Sequence, residues 1–192
     1  MELQLDLNKK YTYADYLTWL DDKRRELING FVKIMTPAPR RIHQEISSYL
    51  HRDISNYLRK KKCKVYHAPF DVRLIEKDKT SDKEIINVVQ PDISVICDLS
   101  KLDDRGCLGA PDLIIEILSP ASSKRDLSEK YELYQNFGVK EYWIVFPSEK
   151  VIQKFVLLSK KYELKGSFVK GDIISPNLFP DLKINVDDIF KE

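Results

Sequence analysis

The chain has little of what metal-thiolate and disulfide-built proteins are made from. Its 192 residues include three cysteines, Cys63, Cys97 and Cys107, and no Cys-x-x-Cys pair. An odd, widely spaced set excludes a zinc ribbon and predicts reduced thiols acting as small apolar residues. Histidine is as scarce: His43 and His51 lie eight apart and His67 sits in another segment, so there is no zincin pattern. Apolar runs are only a few residues long, and the first residues carry Glu2 and Asp6 where a signal peptide would place basic and then apolar side chains. These absences predict a cytoplasmic chain with no membrane segment. A net charge of +2 excludes a polycation that coats nucleic acid by bulk charge.

What is present suits a folded enzyme-sized unit. A hydrophobic content of 43% is enough for a sizeable core, and with no repeat, linker or low-complexity tract the expectation is a single domain over residues 1–192. The positive charges are unevenly spread. Arg40, Arg41, Arg52, Arg59, Lys60, Lys61, Lys62 and Lys64 fall in one short stretch, which is either a phosphate-facing patch or a solvated helix ending in cations.

Periodicity predicts the elements. A first helix is expected over 13–21 with Thr12 as its cap. Glu26-Leu-Ile-Asn29-Gly30-Phe-Val-Lys-Ile-Met35 has the form of two strands around an Asn-Gly turn, ended by Pro37 and Pro39. Ile42, Ile46, Leu50, Ile54, Tyr57 and Leu58 recur at helical spacing over 41–60. Strands are expected at 64–75, 85–89 and 93–97, then a polar loop over 99–110. Leu113-Ile-Ile-Glu-Ile-Leu118 has the composition of a strand buried on both faces, followed by a helix over 126–137 that Gly138 stops and a strand over 142–146. Strand, crossover helix and strand make a right-handed βαβ unit with a parallel pair. The fold class is therefore α/β, a mixed sheet of antiparallel meander plus βαβ unit flanked by helices. Further strands are expected at 151–158 and 162–164, before a Pro-punctuated tail.

Glu116 is the most informative residue, because it interrupts an apolar strand. A buried carboxylate must be neutralised, paired or placed at a cleft. A divalent metal would satisfy it, and so would an ion pair with a core cation. Asp92, at the start of the 93–97 strand, can project beside it if the two strands pair, giving two hard oxygen donors suited to Mg²⁺. Asp112, four residues before Glu116 on the same strand face, competes for that place. Lys130 shares the helical stripe of Leu127, Tyr131, Tyr134 and Phe137, so it either faces Glu116 or lays its stem along the stripe's edge. Lys124, just before the helix, is the alternative lysine.

Together these segments resemble a known family. Pro91-Asp-Ile-Ser-Val-Ile-Cys97, the loop from Arg105 to Asp112, Leu113-Ile-Ile-Glu-Ile-Leu-Ser-Pro120, then Asp126, Lys130, Tyr134 and Gly138-Val-Lys-Glu-Tyr-Trp143 are similar to the Uma-type restriction endonucleases of the PD-(D/E)XK superfamily. The resemblance also takes in Glu26-Leu-Ile-Asn-Gly30, the His43 helix and Val186-Asp-Asp-Ile-Phe190. It implies a restriction-endonuclease-like fold, a Mg²⁺ cofactor that Mn²⁺ can replace, and hydrolysis of DNA phosphodiesters. By position, Asp92 is the aspartate of the Pro-Asp element and Glu116 the glutamate of Glu-x-Lys, making both metal ligands. Leu118 stands where the pattern has lysine, which moves that role to Lys130. Glu26 corresponds to an additional acidic residue, while His43, Gln44 and Lys124 are candidate DNA contacts. Cutting both strands would call for a homodimer.

Overall fold

The computed structural model describes residues 4–35, 40–76, 78–119 and 124–191, the side chains of 124–126 excepted. Helix α1 (Tyr13–Tyr16) opens on a reciprocal cap in which Thr12 accepts from the Asp15 N–H and Asp15 accepts from the Thr12 N–H. It lasts one turn, shorter than the expected 13–21. Trp19 instead folds back so that its ring meets those of Tyr11 and Tyr16, which leaves Leu17 and Leu20 exposed. Strands β1 (Arg25–Ile28) and β2 (Phe31–Ile34) pair through Ile28 and Phe31, with Asn29 at φ 54° and Gly30 at φ 85°. Two successive positive φ values make the type I′ turn that Asn-Gly favours. Pro37 and Pro39 lie outside the described residues.

Helix α2 (Arg41–Leu58) buries Ile46, Leu50, Ile54 and Leu58, one per turn. The strand expected over 64–75 is divided into β3 (Lys64–His67) and β4 (Val72–Arg73) around Pro69, and the two halves join different sheets. Next come β5 (Val88–Val89), β6 (Ile93–Ile96) and a 3₁₀ turn at Leu99–Lys101. The expected polar loop then contains a small hairpin, β7 (Leu102–Asp103) with β8 (Gly106–Leu108). Strand β9 (Leu113–Ile117), helix α3 (Lys124–Phe137) and strand β10 (Glu141–Phe146) form the βαβ unit, with β9 and β10 parallel and Glu116 opposite Ile144. Gly138, at φ 81°, stops α3. A hairpin of β11 (Val151–Leu158) and β12 (Lys161–Phe168) follows, then β13 (Ile173–Ile174), β14 (Ile184–Asn185) and α4 (Val186–Ile189).

Among the described residues the mixed architecture is divided over two six-stranded sheets, ordered β2-β1-β5-β4-β8-β7 and β12-β11-β10-β9-β6-β3, with β13 and β14 as a separate pair. Alternation along β9 sorts the second sheet's faces. Leu113, Ile115 and Ile117 pack with α2 and the C-terminal elements. Ile114 turns the other way, toward α3 and the first sheet. Glu116 shares that face, since successive strand residues point to opposite sides. The chain passes from the first sheet to the second between β5 and β6, at Gln90-Pro91-Asp92.

One expectation is overturned by this topology: Cys63 and Cys97 form a disulfide. β3 and β6 pair antiparallel with Lys64 opposite Ile96, so the next residues outward face each other with Cα atoms 4.0 Å apart. That neighbour relation has no trace in linear spacing. Cys107 remains a free, buried thiol.

Candidate active site

The site forms where the two sheets and α3 meet. Ile93 pairs with Ile115, so the antiparallel ladder of β6 and β9 brings Asp92 opposite Glu116, and the Ile117 N–H donates to Asp92 Oδ2 at 2.7 Å. Glu26 arrives from β1 in the other sheet and accepts the Gln90 N–H at 2.9 Å. The crossing segment therefore ties Glu26 to the residue two before Asp92. Glu26 is almost fully buried, not the exposed strand-end charge its position beside a turn allows.

Lys130 joins the two sheets. Its Nζ donates to Glu26 Oε1 and Glu116 Oε1, each at 2.9 Å. Tyr134, one helical turn on and fully buried, donates to the same Glu116 oxygen at 2.6 Å. Glu116 Oε1 is thus taken by two donors, while no described donor is assigned to Oε2. Burial pushes the Glu116 carboxyl up, to about 7; Lys130 pulls it down, but Asp92 and Glu26 add to the rise. Burial disfavours the Lys130 ammonium, and Glu116 and Glu26 more than reverse this, so its pKa is raised. The cluster thus gathers the carboxyl groups of Glu26, Asp92 and Glu116 around one ammonium.

His43, in the first turn of α2, brings Nε2 within 3.3 Å of Asp92 Oδ2. Burial works against the charged imidazole, but Asp92, Glu116 and the Ile117 carbonyl outweigh it and its pKa is raised. Gln44, the next residue, is exposed and makes no side-chain contact with the cluster. Asp112 is engaged elsewhere: its oxygens accept from the Cys97 N–H at 2.7 Å and from Lys140 at 2.6 Å. The side chain of Lys124 lies outside the described residues. Arg40 and Arg41 stand at the cleft end of α2, but Lys60 to Lys62 lie beyond its other end, about 27 Å away at 1.5 Å per residue.

Among the described residues no three His, Cys, Asp or Glu side chains gather into a metal cage. Two carboxylates on facing strands still suit Mg²⁺, which keeps much of its water and takes one or two protein carboxylates alongside substrate phosphates. Tyr134 is the site residue whose role went unread in the sequence. Its signal was its place one turn after Lys130 on the same stripe.

A family model described as "Uma2: Putative restriction endonuclease" matches residues 13–187. The chain belongs to the Uma2 family. A protein of Synechocystis sp. described as uncharacterized is 25% identical to this Uma2 chain over 139 residues, covering 71% of it and 68% of the relative. A crystal structure from Anabaena variabilis, titled a putative nuclease belonging to DUF820, superposes with a TM-score of 0.73 at 19% identity. The match covers 94% of the Uma2 chain and 97% of the other, and shows a shared fold.

Proposed function

We propose that this Uma2 protein is a divalent-metal-dependent nuclease hydrolysing DNA phosphodiester bonds, with Asp92 and Glu116 as the residues that hold Mg²⁺ or Mn²⁺. One observation carries this: Lys130 Nζ sits 2.9 Å from both Glu26 and Glu116, where the β6–β9 ladder brings Asp92 opposite Glu116. A bound divalent ion would supply Lewis-acid polarisation of the phosphate and a more acidic water. The chain's own residues do the rest. Glu26 and Glu116 fix the Lys130 ammonium, which orients the attacking water and offsets charge growing on the scissile phosphate. The Ile117 N–H and His43 hold Asp92 Oδ2, fixing the carboxylate in place. His43 and Lys124 are proposed to meet DNA phosphates.

Leu118, at the usual lysine position, favours a second reading: a DNA-binding module without turnover. Cleavage of supercoiled plasmid with Mg²⁺ or Mn²⁺, alongside Mn²⁺ calorimetry, separates the two. Cutting that is lost in Asp92→Ala and Glu116→Ala, each with weakened Mn²⁺ binding, is the expected result. DNA binding with no cutting supports the module, and unchanged Mn²⁺ affinity in both variants overturns the site.

A further inference from the structure

A nuclease cleft has to hold a phosphodiester, and phosphates are held by cations and N–H donors. Among the described residues, the cleft lined by Glu26, Glu116 and Lys130 contains one other cation, Lys33. Lys130 is committed, since its ammonium serves Glu26 and Glu116 at 2.9 Å each. Giving it up to a phosphate would leave two buried carboxylates without their counter-charge, a costly exchange.

Lys33 is placed differently. It stands on β2 directly opposite Glu26 in the β1–β2 ladder, and residues opposite each other in a ladder put their side chains on the same face. The hairpin therefore delivers an acidic and a basic side chain to the site side by side. Glu26 is occupied all the same: its Oε1 already accepts from the Gln90 N–H and from Lys130. Lys33 Nζ lies instead 2.8 Å from Glu129 Oε2, on α3 and one residue before Lys130, where both partners line the cleft. The two ion pairs differ in their access to water. Lys33 and Glu129 keep 36% and 27% of their side-chain surface exposed, against 15% for Lys130 and 6% for Glu26. A pair this open contributes little to stability, so exchanging one partner costs little. An ammonium also has three donors, and Glu129 is the one ion-pair partner of Lys33 among the described residues.

We infer, resting on the nuclease reading above, that Lys33 is the cation that binds a DNA phosphate in this cleft, and that Glu129 is its counter-ion in the free enzyme, displaced when DNA enters. Lys130 stays with its two carboxylates throughout. Glu129, left beside an incoming anion, then works against binding.

The test uses DNA in which one phosphate at a time is replaced by an uncharged methylphosphonate. Stopped-flow anisotropy with Mg²⁺ reads binding before any cutting, and single-turnover cleavage reads cutting in the same mixtures. Lys33→Met should weaken binding about tenfold, the worth of one hydrogen bond between charged groups, and lower the slope of log affinity against log salt by about one. A methylphosphonate at the contacted position should weaken wild type by a similar factor and cost Lys33→Met nothing further. Glu129→Gln should tighten binding, and most of that gain should vanish in the Lys33→Met background. Both variants should melt near wild type, because the pair is exposed. Losses that add at every methylphosphonate position, or a Glu129→Gln gain that is the same with and without Lys33, would overturn the Lys33 contact, while cutting by wild type would leave the nuclease reading standing. The expected coupling without any cutting would support the contact and overturn the nuclease reading. No DNA binding by wild type overturns both.

Discussion

Replacing Lys130 by Met is the sharpest perturbation, because one ammonium holds two buried carboxylates from different sheets. Its Nζ contacts Glu26 and Glu116 at 2.9 Å, and both partners are buried. Removing one member of a buried pair costs about 3–5 kcal/mol, which for a chain of this size is a fall in Tm of roughly 6–20 °C. The loss must depend on pH. Burial already raises Glu116 to about 7, and Lys130 is its largest lowering influence, so the variant raises it further. A carboxyl whose folded pKa lies above its unfolded value destabilises as pH rises. The penalty is absent below the unfolded pKa, near 4.5, and grows through 7 and beyond. Lys130→Met should therefore approach wild-type stability at pH 4.5 and fall well below it at pH 8. Mn²⁺ should restore more stability to the variant than to wild type, since a divalent ion replaces the missing charge. Single-turnover cleavage at saturating metal should still fall by about a hundredfold, the cost of one preorganised donor. Calorimetric melting over pH with and without Mn²⁺, and rapid-quench cleavage, are the assays. A variant with wild-type stability at pH 8, no added response to Mn²⁺ and a wild-type cutting rate would refute the ion-pair account and the catalytic assignment together.

Three further outcomes are expected. Mn²⁺ affinity of wild type should weaken as pH drops through about 7, with a proton released on binding, because Glu116 must ionise to coordinate; calorimetry in buffers of different ionisation heat that shows no proton release would contradict this. Tyr134→Phe removes the 2.6 Å hydrogen bond to Glu116 Oε1 and should cost about 1–3 kcal/mol in urea melts at pH 8, and a neutral result would mean that Lys130 alone fixes that oxygen. Cys63→Ser should lower stability by roughly 3–4 kcal/mol, as expected from opening a cross-link that spans 34 residues, and equal melts of wild type with and without reductant would refute the bond's contribution.

Local patterns settled much of this protein. The Asn29-Gly30 hairpin, the four-residue apolar repeat of α2 and the apolar run of β9 depend on neighbours a few residues apart, and turn chemistry and periodicity make them legible. Glu116 was conspicuous for the same reason, as a charge inside an apolar run, and the stripe of α3 placed Lys130 on the face that meets it. Pairing across the chain decided the rest. The ladder between β6 and β9 chose Asp92 over Asp112 as the neighbour of Glu116, and the ladder between β3 and β6 joined Cys63 to Cys97. The passage at Gln90 carried Glu26 in from a second sheet that no periodicity separates from the first. Strand order and the packing of sheet on sheet are long-range choices. They are set by which faces bury each other, and a carboxylate's partner, unlike a helix's stripe, is not written beside it in the chain.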